Sequence, residues 1–535
     1  MHYLLLSVFL FPLLATSFAQ AQSTGVSERD AVVLTLENAV EIALERNYLV
    51  RSAALDVAAA NAQVREAYGQ VMPTVDATSS YTRNVVSPNP FAGSDAGGLF
   101  ATLSLLDWLA FNETARTDGD PGTSPISLDE FRRRQSEGFA DAGLSLSASE
   151  NPFAVPNQFL GQISITQTLY NGSVFAAIRG ARGLREINQA ALTQQQHQIV
   201  HQTRQLYYSA LLAQEQAEVS RASVSRATET AVEMSRLVAA GTLPVLDRLS
   251  AEVELTNLET QLLQAENQAS MAGTNLLFAL GIPVDQPVVL RGNLDLPEDV
   301  IFQTVSVNDA LAIARERRPE VQQARLAVQL QEVNRDITRA GFRPIVSAFA
   351  NIGLQGNVPD DRTVIRQGGA SGDPFSVTAE ERGFFSSSFW NPSVAVGGRV
   401  TWNLFNGFQT NYQVQRNTIA VQQAGIEVER AEQMVALEVD QAVRSLQSAR
   451  QRILAQSQNV ERARTAYMFA STRLTSGVAG QVDVRLASGQ LDQAQLGFLQ
   501  AVFDYLLARS DLQRAVGIVL PEPPPGTPVL FTSID

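Results

Sequence analysis

The sequence predicts a mainly α-helical protein with a smaller β part, built from two tandem copies of one helix–β-hairpin–long helix–helix unit. Two very long segments, 173–240 and 408–476, contain no proline and carry apolar residues at helical spacing. Short stretches in which apolar and polar residues alternate precede each long segment, as expected for strands. The same motifs occur twice in the same order, which indicates a duplication.

The duplication follows from two fixed offsets. The segment that begins at Leu36 resembles the one that begins at Val307, and this offset of 271 still holds between Pro73 and Pro344. A Leu-Tyr-Asn-Gly motif and a later Leu-Phe-Asn-Gly motif match at an offset of 235. The first copy therefore carries about 36 additional residues between its proline and its Asn-Gly motif, in a predicted long loop.

Each copy predicts four elements in a fixed order. A first helix, at 36–70 or 307–341, ends before the proline, because a residue that precedes proline is driven out of the α region. Two strands and the long helix follow, and a tight turn leads to the last helix. Gly241 and Gly477 are predicted to end the long helices as C-terminal caps, and the last helix of each copy is predicted to run to Gly281 or Gly517.

The predicted strands have one apolar face. In the stretch 392–406, Val394, Val396 and Val400 share one face, whereas Arg399 lies on the other. Such alternation is typical of a transmembrane barrel strand and equally of a soluble sheet with one buried face. Periodicity alone does not separate these two alternatives.

The ends of the repeats define the predicted domain boundaries. An apolar, uncharged N-terminal stretch ends at Ala19-Gln20-Ala21, an A-x-A site of the kind at which a signal peptide is cleaved. Within the long loop 87–157, residues 99–111 are apolar enough for a short helix or an additional strand. The predicted ranges are 1–21 for the signal peptide, 22–281 for the first repeat with strands at about 74–86 and 158–171, 282–306 for a linker, 307–517 for the second repeat with strands at about 345–357 and 392–406, and 518–535 for a Pro-rich C-terminal tail.

Composition excludes several classes of function. The net charge is −14 and all 40 basic residues are arginines without a clustered basic stripe, so nucleic acid is not an expected partner. Because cysteine is absent, the chain has no disulfide, no thiolate metal site and no lipid-anchoring thiol. No stretch of 18 apolar residues follows the signal peptide, so a mature chain in a membrane has to span it with closed strands.

The sequence predicts no enzyme, no cofactor and no metal site. Its carboxylates are scattered along predicted helix surfaces, and no Gly-rich phosphate loop follows a strand. His197 and His201 share a helix face at the i, i+4 spacing of metal ligands. However, no cysteine is available and no acidic residue lies one turn away, so a solvated helix face is the preferred interpretation.

The chain resembles the TolC family of outer-membrane efflux proteins over nearly its whole mature length. The resemblance rests on the A-x-x-x-A-x-x-x-N/R helix openings, the two strand-to-helix Asn-Gly motifs and the Gly-x-x-x-x-x-Asp spacing at the helix tips. It implies a homotrimer whose strands close one 12-stranded β-barrel in the outer membrane, in contact with lipid and continuous with a periplasmic α-helical barrel. It further implies a passive exit duct of a tripartite efflux or type I secretion system, working with a periplasmic adaptor (membrane fusion) protein and an inner-membrane pump of RND or ABC type.

The resemblance also implies roles for residues at the periplasmic helix tips. Asp483 matches the first aspartate of the family's constriction motif, whereas Leu486 stands where a second aspartate is usual, so one ring of three carboxylates is implied. Asp247 is its counterpart in the first copy. Capping of the last helix is the alternative role of Asp483. The residues implied at the tip turns and in adaptor docking are Gly241, Pro244, Gly477, Gly480 and Arg485.

Other motif residues are predicted to be structural. The Asn-Gly pairs supply tight turns between strand and helix, since asparagine and glycine adopt positive φ readily. The residues with this predicted role, together with the helix-ending prolines, are Pro73, Asn171, Gly172, Pro344, Asn406 and Gly407. The alternative function is a periplasmic coiled-coil adaptor or scaffold protein, which should show one helical hairpin with a lipoyl-like β domain. A receptor role of the long loops is compatible with transport.

Overall fold

The computed structural model describes residues 32–86, 96–120, 123–143, 155–294, 306–367, 375–476, 478 and 480–519. The predicted signal peptide, part of the predicted linker, Gly477 and most of the predicted tail lie outside the described residues. The chain divides into two compact units. Unit 1 comprises residues 1–61, 183–330 and 421–535, and unit 2 comprises residues 62–182 and 331–420.

Helices make up most of the described chain. The two longest, α5 and α9, contain 68 and 67 residues and begin and end within one residue of the predicted bounds. At a rise of about 1.5 Å per residue, each extends for roughly 100 Å. In chain order the helices are α1 (Leu36–Arg46), α2 (Tyr48–Gly69), α3 (Ala96–Thr117), α4 (Leu128–Asp141), α5 (Gly172–Ala239), α6 (Val245–Leu280), α7 (Val307–Arg317), α8 (Pro319–Arg339), α9 (Gln409–Thr475) and α10 (Gln481–Val516).

The first helix of each copy is interrupted, so the single helices predicted over 36–70 and 307–341 are wrong. Asn47 separates α1 from α2, and Arg318 separates α7 from α8. The Asn47 side chain donates a 2.8 Å hydrogen bond to the carbonyl of Ala279 in α6. Arg318 donates to the carbonyl of the corresponding residue of α10 at 3.3 Å. The break therefore places one side chain against the open carbonyls at the end of the last helix.

The last helix of each copy ends at a glycine in the left-handed region. The φ angle is +71° at Gly281 and +80° at Gly517. A Cβ on Gly281 would lie 2.8 Å from the carbonyl oxygen of Arg46, and one on Gly517 would lie 3.1 Å from that of Arg317. Both positions therefore need glycine for two reasons, the positive φ and the close approach of the first helix. Gly241, at φ +74°, follows α5 in the same way.

Alanines allow the helices of unit 1 to pack closely. Ala39 and Ala43 of α1 are completely buried, as is Ala314 of α7, and Ala310 is 3% exposed. These alanines are the A-x-x-x-A positions of the helix openings. They join one continuous apolar core with residues of α5, α6, α9 and α10. A short parallel pair, β1 (Val32–Leu34) with β4 (Val288–Leu290), lies at the same core.

Unit 2 contains a four-stranded antiparallel sheet in the order β2-β3-β5-β8. Its strands begin and end close to the expected residues, except that β8 stops before the expected end at 406. Among the described residues, β2 and β8 have a strand neighbour on one side only, so both are edge strands. The strand bounds are β2 Thr74–Arg83, β3 Asn157–Tyr170, β5 Ile345–Val358 and β8 Trp390–Thr401.

The sheet has one apolar and one polar face, because side chains alternate along each strand. One row across the sheet reads Val75, Ile165, Ala350 and Val396, and the next reads Asp76, Ser164, Asn351 and Ala395. Of the two remaining charged residues of the four strands, Arg399 lies on the polar face, whereas Arg83 lies at the end of β2 on the side of Val75. The alternation predicted for β3, β5 and β8 is present in the sheet. No helix among the described residues is both long and apolar enough to cross a membrane.

The long loop of the first copy packs against the loop of the second. Residues 99–111 lie in α3, so the helix alternative holds. The rings of Phe111, Phe131 and Phe375 meet with centroids 5.1–5.7 Å apart, and they join α3 and α4 to the second loop. That loop forms a hairpin of β6 (Thr363–Gln367) and β7 (Val377–Glu381).

Candidate functional site

The second helix tip contains Gly480, Asp483 and Arg485 at the start of α10. The carboxylate of Asp483 accepts a 3.3 Å hydrogen bond from the backbone N–H of Gly480. An aspartate in the first turn also interacts favourably with the positive end of the helix dipole. Asp483 and Arg485 are exposed. The capping role is thus present in the structure, and the exposed carboxylate stays available for a second role.

The first helix tip has the same layout with different residues. Gly241 ends α5, and Pro244 precedes the first residue of α6 with an extended backbone, at φ −65° and ψ 150°. The backbone N–H of Asp247 donates to the carbonyl of Pro244 at 3.1 Å. The Asp247 side chain is partly buried, whereas that of Asp483 is exposed. The two aspartates that correspond under the duplication are therefore not equivalent.

Apolar side chains at both tips divide into a buried and an exposed group. Ala231, Met234 and Ala251 form a small core that joins α5 to α6, with Leu474 of α9 packed against it. Four other apolar side chains point into solvent, each at least 56% exposed: Leu246, Val478, Val482 and Leu486. The tips of both copies are thus held together in unit 1 and present an apolar surface.

A cavity of 360 Å³ lies beside the second tip, between α5, α6, α9 and α10. Arg226 of α5 forms an ion pair with Asp492 of α10, and these two side chains are 17% and 20% exposed. Arg226 also donates to the hydroxyls of Ser223, at 3.0 Å, and Ser488, at 3.3 Å. Its guanidinium stacks 5.8 Å from the ring centroid of Tyr467 in α9. Arg485 lines the same cavity.

Burial controls the titration of the acidic groups in this cavity. Desolvation raises the pKa of Asp492 above its usual value, although the Ser223 hydroxyl and the Arg226 charge oppose that change. Desolvation likewise raises the pKa of Tyr467. Sequence reasoning missed these residues, because they lie on three helices far apart in the chain and no short motif contains them. Only the apolar periodicity that packs the helices together could have indicated them.

The strand-to-helix turns are structural, but for different reasons in the two copies. The Asn171 side chain accepts from the backbone N–H and the hydroxyl of Ser173, at 3.1 and 2.7 Å, and so caps α5. Gly172 does not adopt positive φ; it is the first residue of α5, and a Cβ there would lie 3.0 Å from that of Ala340. Gly407 does adopt positive φ, at +64°. The expected positive φ therefore occurs in the second copy only.

The prolines and the second asparagine also lie at element boundaries. Pro73 and Pro344 immediately precede β2 and β5. The Asn406 amide donates a 2.5 Å hydrogen bond to the hydroxyl of Thr410 in the first turn of α9. These contacts fix the direction in which each strand leaves or enters a helix. None of these residues contributes to a chemical site.

His197 and His201 face a second cavity, of 630 Å³, in unit 1. The His201 ring lies 3.2 Å from the Ser510 hydroxyl and 3.3 Å from the Asp511 carboxylate. His197 is 9% exposed. Burial lowers the pKa of both rings, against the opposing effect of Glu320 on His197 and of Asp511 on His201. The expected solvated face is therefore wrong: the rings pack between helices.

A buried arginine connects three helices at this cavity. Arg318 is 4% exposed and forms 2.8 Å ion pairs with Glu320 of α8 and Glu438 of α9. Its contacts with the end of α10 are those of the helix break described above. Within the part of the chain that the structure describes, no group of three histidine, cysteine or acidic side chains is placed to hold a metal ion.

Comparison with known proteins identifies relatives by sequence and by fold. A model of a family described as outer membrane efflux protein matches residues 140–282 and 310–518. The cobalt-zinc-cadmium resistance protein CzcC of Cupriavidus metallidurans is 30% identical over 171 residues, or 31% of this chain and 41% of CzcC. The alkaline protease secretion protein AprF of Pseudomonas aeruginosa is 20% identical over 68% of this chain and 70% of AprF. The structure of the Campylobacter jejuni CmeC outer membrane channel superposes with a TM-score of 0.64 at 14% identity, covering 90% of this chain and 85% of that one.

Proposed function

Since the chain belongs to the outer membrane efflux protein family, we propose that three copies of it form one duct. The chain is an exit duct of the outer membrane and not an enzyme. The strands of the three copies close a barrel in the outer membrane, and their helices surround the periplasmic path. The duct works with a periplasmic adaptor and an inner-membrane pump. The alternative of an adaptor or scaffold is not supported, because the family match covers both copies of the repeat.

The observation that carries the proposal is the four-stranded sheet with two open edges and one apolar face. Four strands are too few to close a barrel, and an open edge exposes unpaired backbone groups. In the hydrocarbon region of a membrane those groups have no water to bind, so the sheet has to be closed by further strands. Copies of the same chain supply them without requiring any other β protein.

We place the narrow end of the duct at the second helix tip. Three Asp483 carboxylates, one from each copy, would form an acidic ring that attracts cations. The exposed position of Asp483 on the first turn of α10 supports this assignment. Asp247 is partly buried and contributes less to the lining.

The same tips are the proposed docking surface of the adaptor. They expose apolar side chains on both copies of the repeat, as described above, and exposed apolar patches mark sites of protein association. Gly241, Pro244 and Gly480 shape the turns that carry this surface, while Arg485 adds a charge. Gly477 belongs to the same proposed turn and lies outside the described residues.

The pump that loads the duct is of the RND or the ABC type. The names of the two sequence relatives refer to resistance against metal ions and to secretion of a protease, respectively. Because the names of these relatives refer to such different cargo, we infer that the duct does not select its substrates and that the pump determines which substrates enter it. The cargo of this chain therefore follows from the identity of its pump.

Site-specific crosslinking at the second tip tests the proposal. A photo-crosslinking amino acid replaces Leu486, which is 59% exposed, in cells that carry the native pump genes. The matched control carries the same amino acid at Ile419 of α9, a 48% exposed position outside the tips. We expect capture of an adaptor from Leu486 and not from Ile419, and co-sedimentation of the chain with outer membranes. Capture of an RND-associated or an ABC-associated adaptor identifies the pump; equal capture at both positions, or fractionation with soluble periplasmic proteins, contradicts the proposal.

A further inference from the structure

The two Asn-Gly pairs of the chain have similar local sequences but different surroundings. Neither pair contributes to a catalytic or binding site, and each follows a leucine and an aromatic residue, in Leu-Tyr-Asn-Gly and Leu-Phe-Asn-Gly. Asn-Gly is the dipeptide in which asparagine is converted most rapidly to aspartate, because the glycine has no side chain to hinder attack by its own backbone nitrogen. A difference in reactivity between the two pairs therefore has to come from the fold.

The first pair is held in place at both of its residues. The side-chain oxygen of Asn171 accepts hydrogen bonds from the backbone N–H and the hydroxyl of Ser173, at 3.1 and 2.7 Å. Gly172 is the first residue of α5, a helix of 68 residues. A Cβ on Gly172 would lie 3.0 Å from that of Ala340, so the backbone has a close neighbour here. Rotation at this pair breaks the helix cap and moves the chain against Ala340.

The second pair lies in an irregular segment between β8 and α9. Residues 402–408 belong to neither a helix nor a strand. Gly407 and Phe408 have φ angles of +64° and +61°, and a Cβ on Gly407 would meet nothing within 4 Å. Within the described residues, the Asn406 side chain makes one hydrogen bond, from its amide to the hydroxyl of Thr410. The backbone at this pair can therefore rotate at a lower cost than at the first pair.

We propose that Asn406 is a site of spontaneous deamidation, whereas Asn171 is protected by its position at the start of α5. The modification goes beyond the proposed function and does not depend on it. Its reactants are the chain itself and water, and no enzyme is required.

The reaction passes through a cyclic succinimide. The backbone nitrogen of Gly407 gives up its proton to hydroxide and attacks Cγ of Asn406. The bond between Cγ and Nδ2 breaks, and the side-chain nitrogen leaves as ammonia. Water then opens the ring, either at Cγ, which yields aspartate, or at the main-chain carbonyl carbon of residue 406, which yields isoaspartate. In total, water is consumed, ammonia is released and no atom is oxidised or reduced.

The two products change the connection between β8 and α9 in different ways. With aspartate at position 406, the Thr410 hydroxyl can donate to the new carboxylate, so the contact with the first turn of α9 persists. The negative charge also lies near the positive end of the helix dipole. With isoaspartate, the main chain runs through Cγ and becomes one methylene longer. The open space around Gly407 allows the connection to accommodate that change.

Mass spectrometry of the unaltered full-length chain tests the proposal. The protein is incubated in mildly alkaline buffer, folded in detergent or unfolded in guanidinium chloride, and samples are digested at mildly acidic pH. Cleavage after arginine gives the peptide 400–416, which contains Asn406 and also Asn411 of α9, an internal control that precedes a tyrosine. Fragment spectra locate the converted residue and distinguish aspartate from isoaspartate. The peptide that contains Asn171 is quantified in the same digest.

In the folded chain, we expect conversion of Asn406 to be at least about tenfold faster than that of Asn171, because ring closure at Asn171 first breaks two hydrogen bonds. In the unfolded chain, the two rates should be similar, since the local sequences match. Asn411 should stay unconverted in the folded chain. The variant Asn406→Gln should remove the converted form of peptide 400–416, because its longer side chain does not form the succinimide.

Three results would overturn the proposal. The first is conversion of Asn171 at the same rate as Asn406, or faster, in the folded chain. The second is an intact Asn406 in the folded chain over the period in which the unfolded chain is converted. The third is the same ratio of rates in the folded and the unfolded chain, which would show that the sequence and not the fold selects the site.

Discussion

Asn47 and Arg318 occupy corresponding positions in the two copies and make the same contact with the last helix, but only Arg318 adds ion pairs to it. Both side chains donate to a carbonyl near the end of the last helix of their copy. The Arg318 side chain is longer than that of Asn47 and also forms ion pairs with Glu320 and Glu438. The second copy therefore has an ion-pair network at this position, where the first copy has an uncharged amide. The interruption at Arg318 was predictable, because Pro319 follows it and disfavours the α conformation of the preceding residue. No proline follows Asn47, so the interruption in the first copy had no such signal.

Replacement of Arg318 separates its two roles. Arg318→Ala removes the bonds to the α10 carbonyls and leaves two carboxylates without their buried cation, so we expect a loss of about 2–4 kcal/mol in the free energy of unfolding. Arg318→Asn restores the side chain of the first copy and should lose less, since an amide can still reach a carbonyl. Denaturant unfolding of the purified chain measures both. Equal losses would show that the capping bond contributes nothing.

Glycine at the end of α6 is a second residue-scale requirement. Gly281→Ala introduces a side chain at φ +71° and brings its Cβ to 2.8 Å from the Arg46 carbonyl oxygen. We expect destabilisation by at least about 1–2 kcal/mol from the backbone conformation alone. Gly489→Ala in α10 is the control, because a Cβ there meets nothing within 4 Å and alanine favours a helix. Thermal unfolding followed by circular dichroism should shift downward for the first variant and slightly upward for the second.

At the scale of whole elements, sequence reasoning predicted the helices and strands better than the contacts between them. The long helices were predictable because proline-free periodicity over such length has one structural interpretation. The Arg226–Asp492 pair was not predictable, since α5 and α10 have to pack together before these side chains meet. The histidines show the same limit: spacing placed them on one helix face but could not reveal that α10 covers it.

The Arg226–Asp492 contact between α5 and α10 is expected to respond asymmetrically to substitution. Arg226→Gln leaves a partly buried carboxylate without its cation, and we expect a loss of about 1–3 kcal/mol at neutral pH. Asp492→Asn removes the desolvated charge and keeps a polar group near Ser223, so it should cost less. Because protonation neutralises Asp492, the loss in Arg226→Gln should become smaller as pH falls toward 5. A pH-independent loss would mean that the carboxylate charge is not the cause.

The histidine contacts predict a loss of stability at mildly acidic pH. Burial lowers the pKa of His197 and His201 in the folded state, so the unfolded chain binds protons first as pH falls below about 6.5. Arg318 lies near His197, and Arg514 and Arg204 near His201, and all three oppose protonation, whereas Glu320 and Asp511 favour it. The free energy of unfolding should therefore decrease between pH 7 and 5, by at most about 1.4 kcal/mol per histidine and pH unit.

The double variant His197→Gln, His201→Gln isolates this effect. Its unfolding free energy should vary less between pH 7 and 5 than that of the unaltered chain, because glutamine does not titrate. Denaturant unfolding at several pH values gives both curves. Parallel curves would assign the acid sensitivity to carboxylates instead.

For the whole molecule, the duplication is the feature from which most of the fold could be predicted. The two offsets convert each of the ten residue pairs between β2 and β3 into a residue pair observed between β5 and β8. The additional residues of the first copy did not follow from it, because an insertion has no counterpart to compare. The structure shows there a helical pair packed through Phe111 and Phe131 on Phe375 of the other loop.

This inserted pair should be dispensable for assembly. The pairing of β2 with β3 covers ten residues and that of β3 with β5 covers thirteen, and neither includes α3 or α4. Shortening the loop slightly lowers the entropic cost of closing it, since each doubling of loop length changes that cost by only about 0.6 kcal/mol. Replacing residues 96–143 by a short Gly-Ser linker should therefore preserve the trimer and its outer-membrane location, measured by sizing in detergent and by membrane flotation. Phe375→Ala, which removes only the ring that meets Phe111 and Phe131, is the milder comparison. Loss of the trimer in the linker variant but not in Phe375→Ala would instead show that the helical pair itself contacts the neighbouring copy.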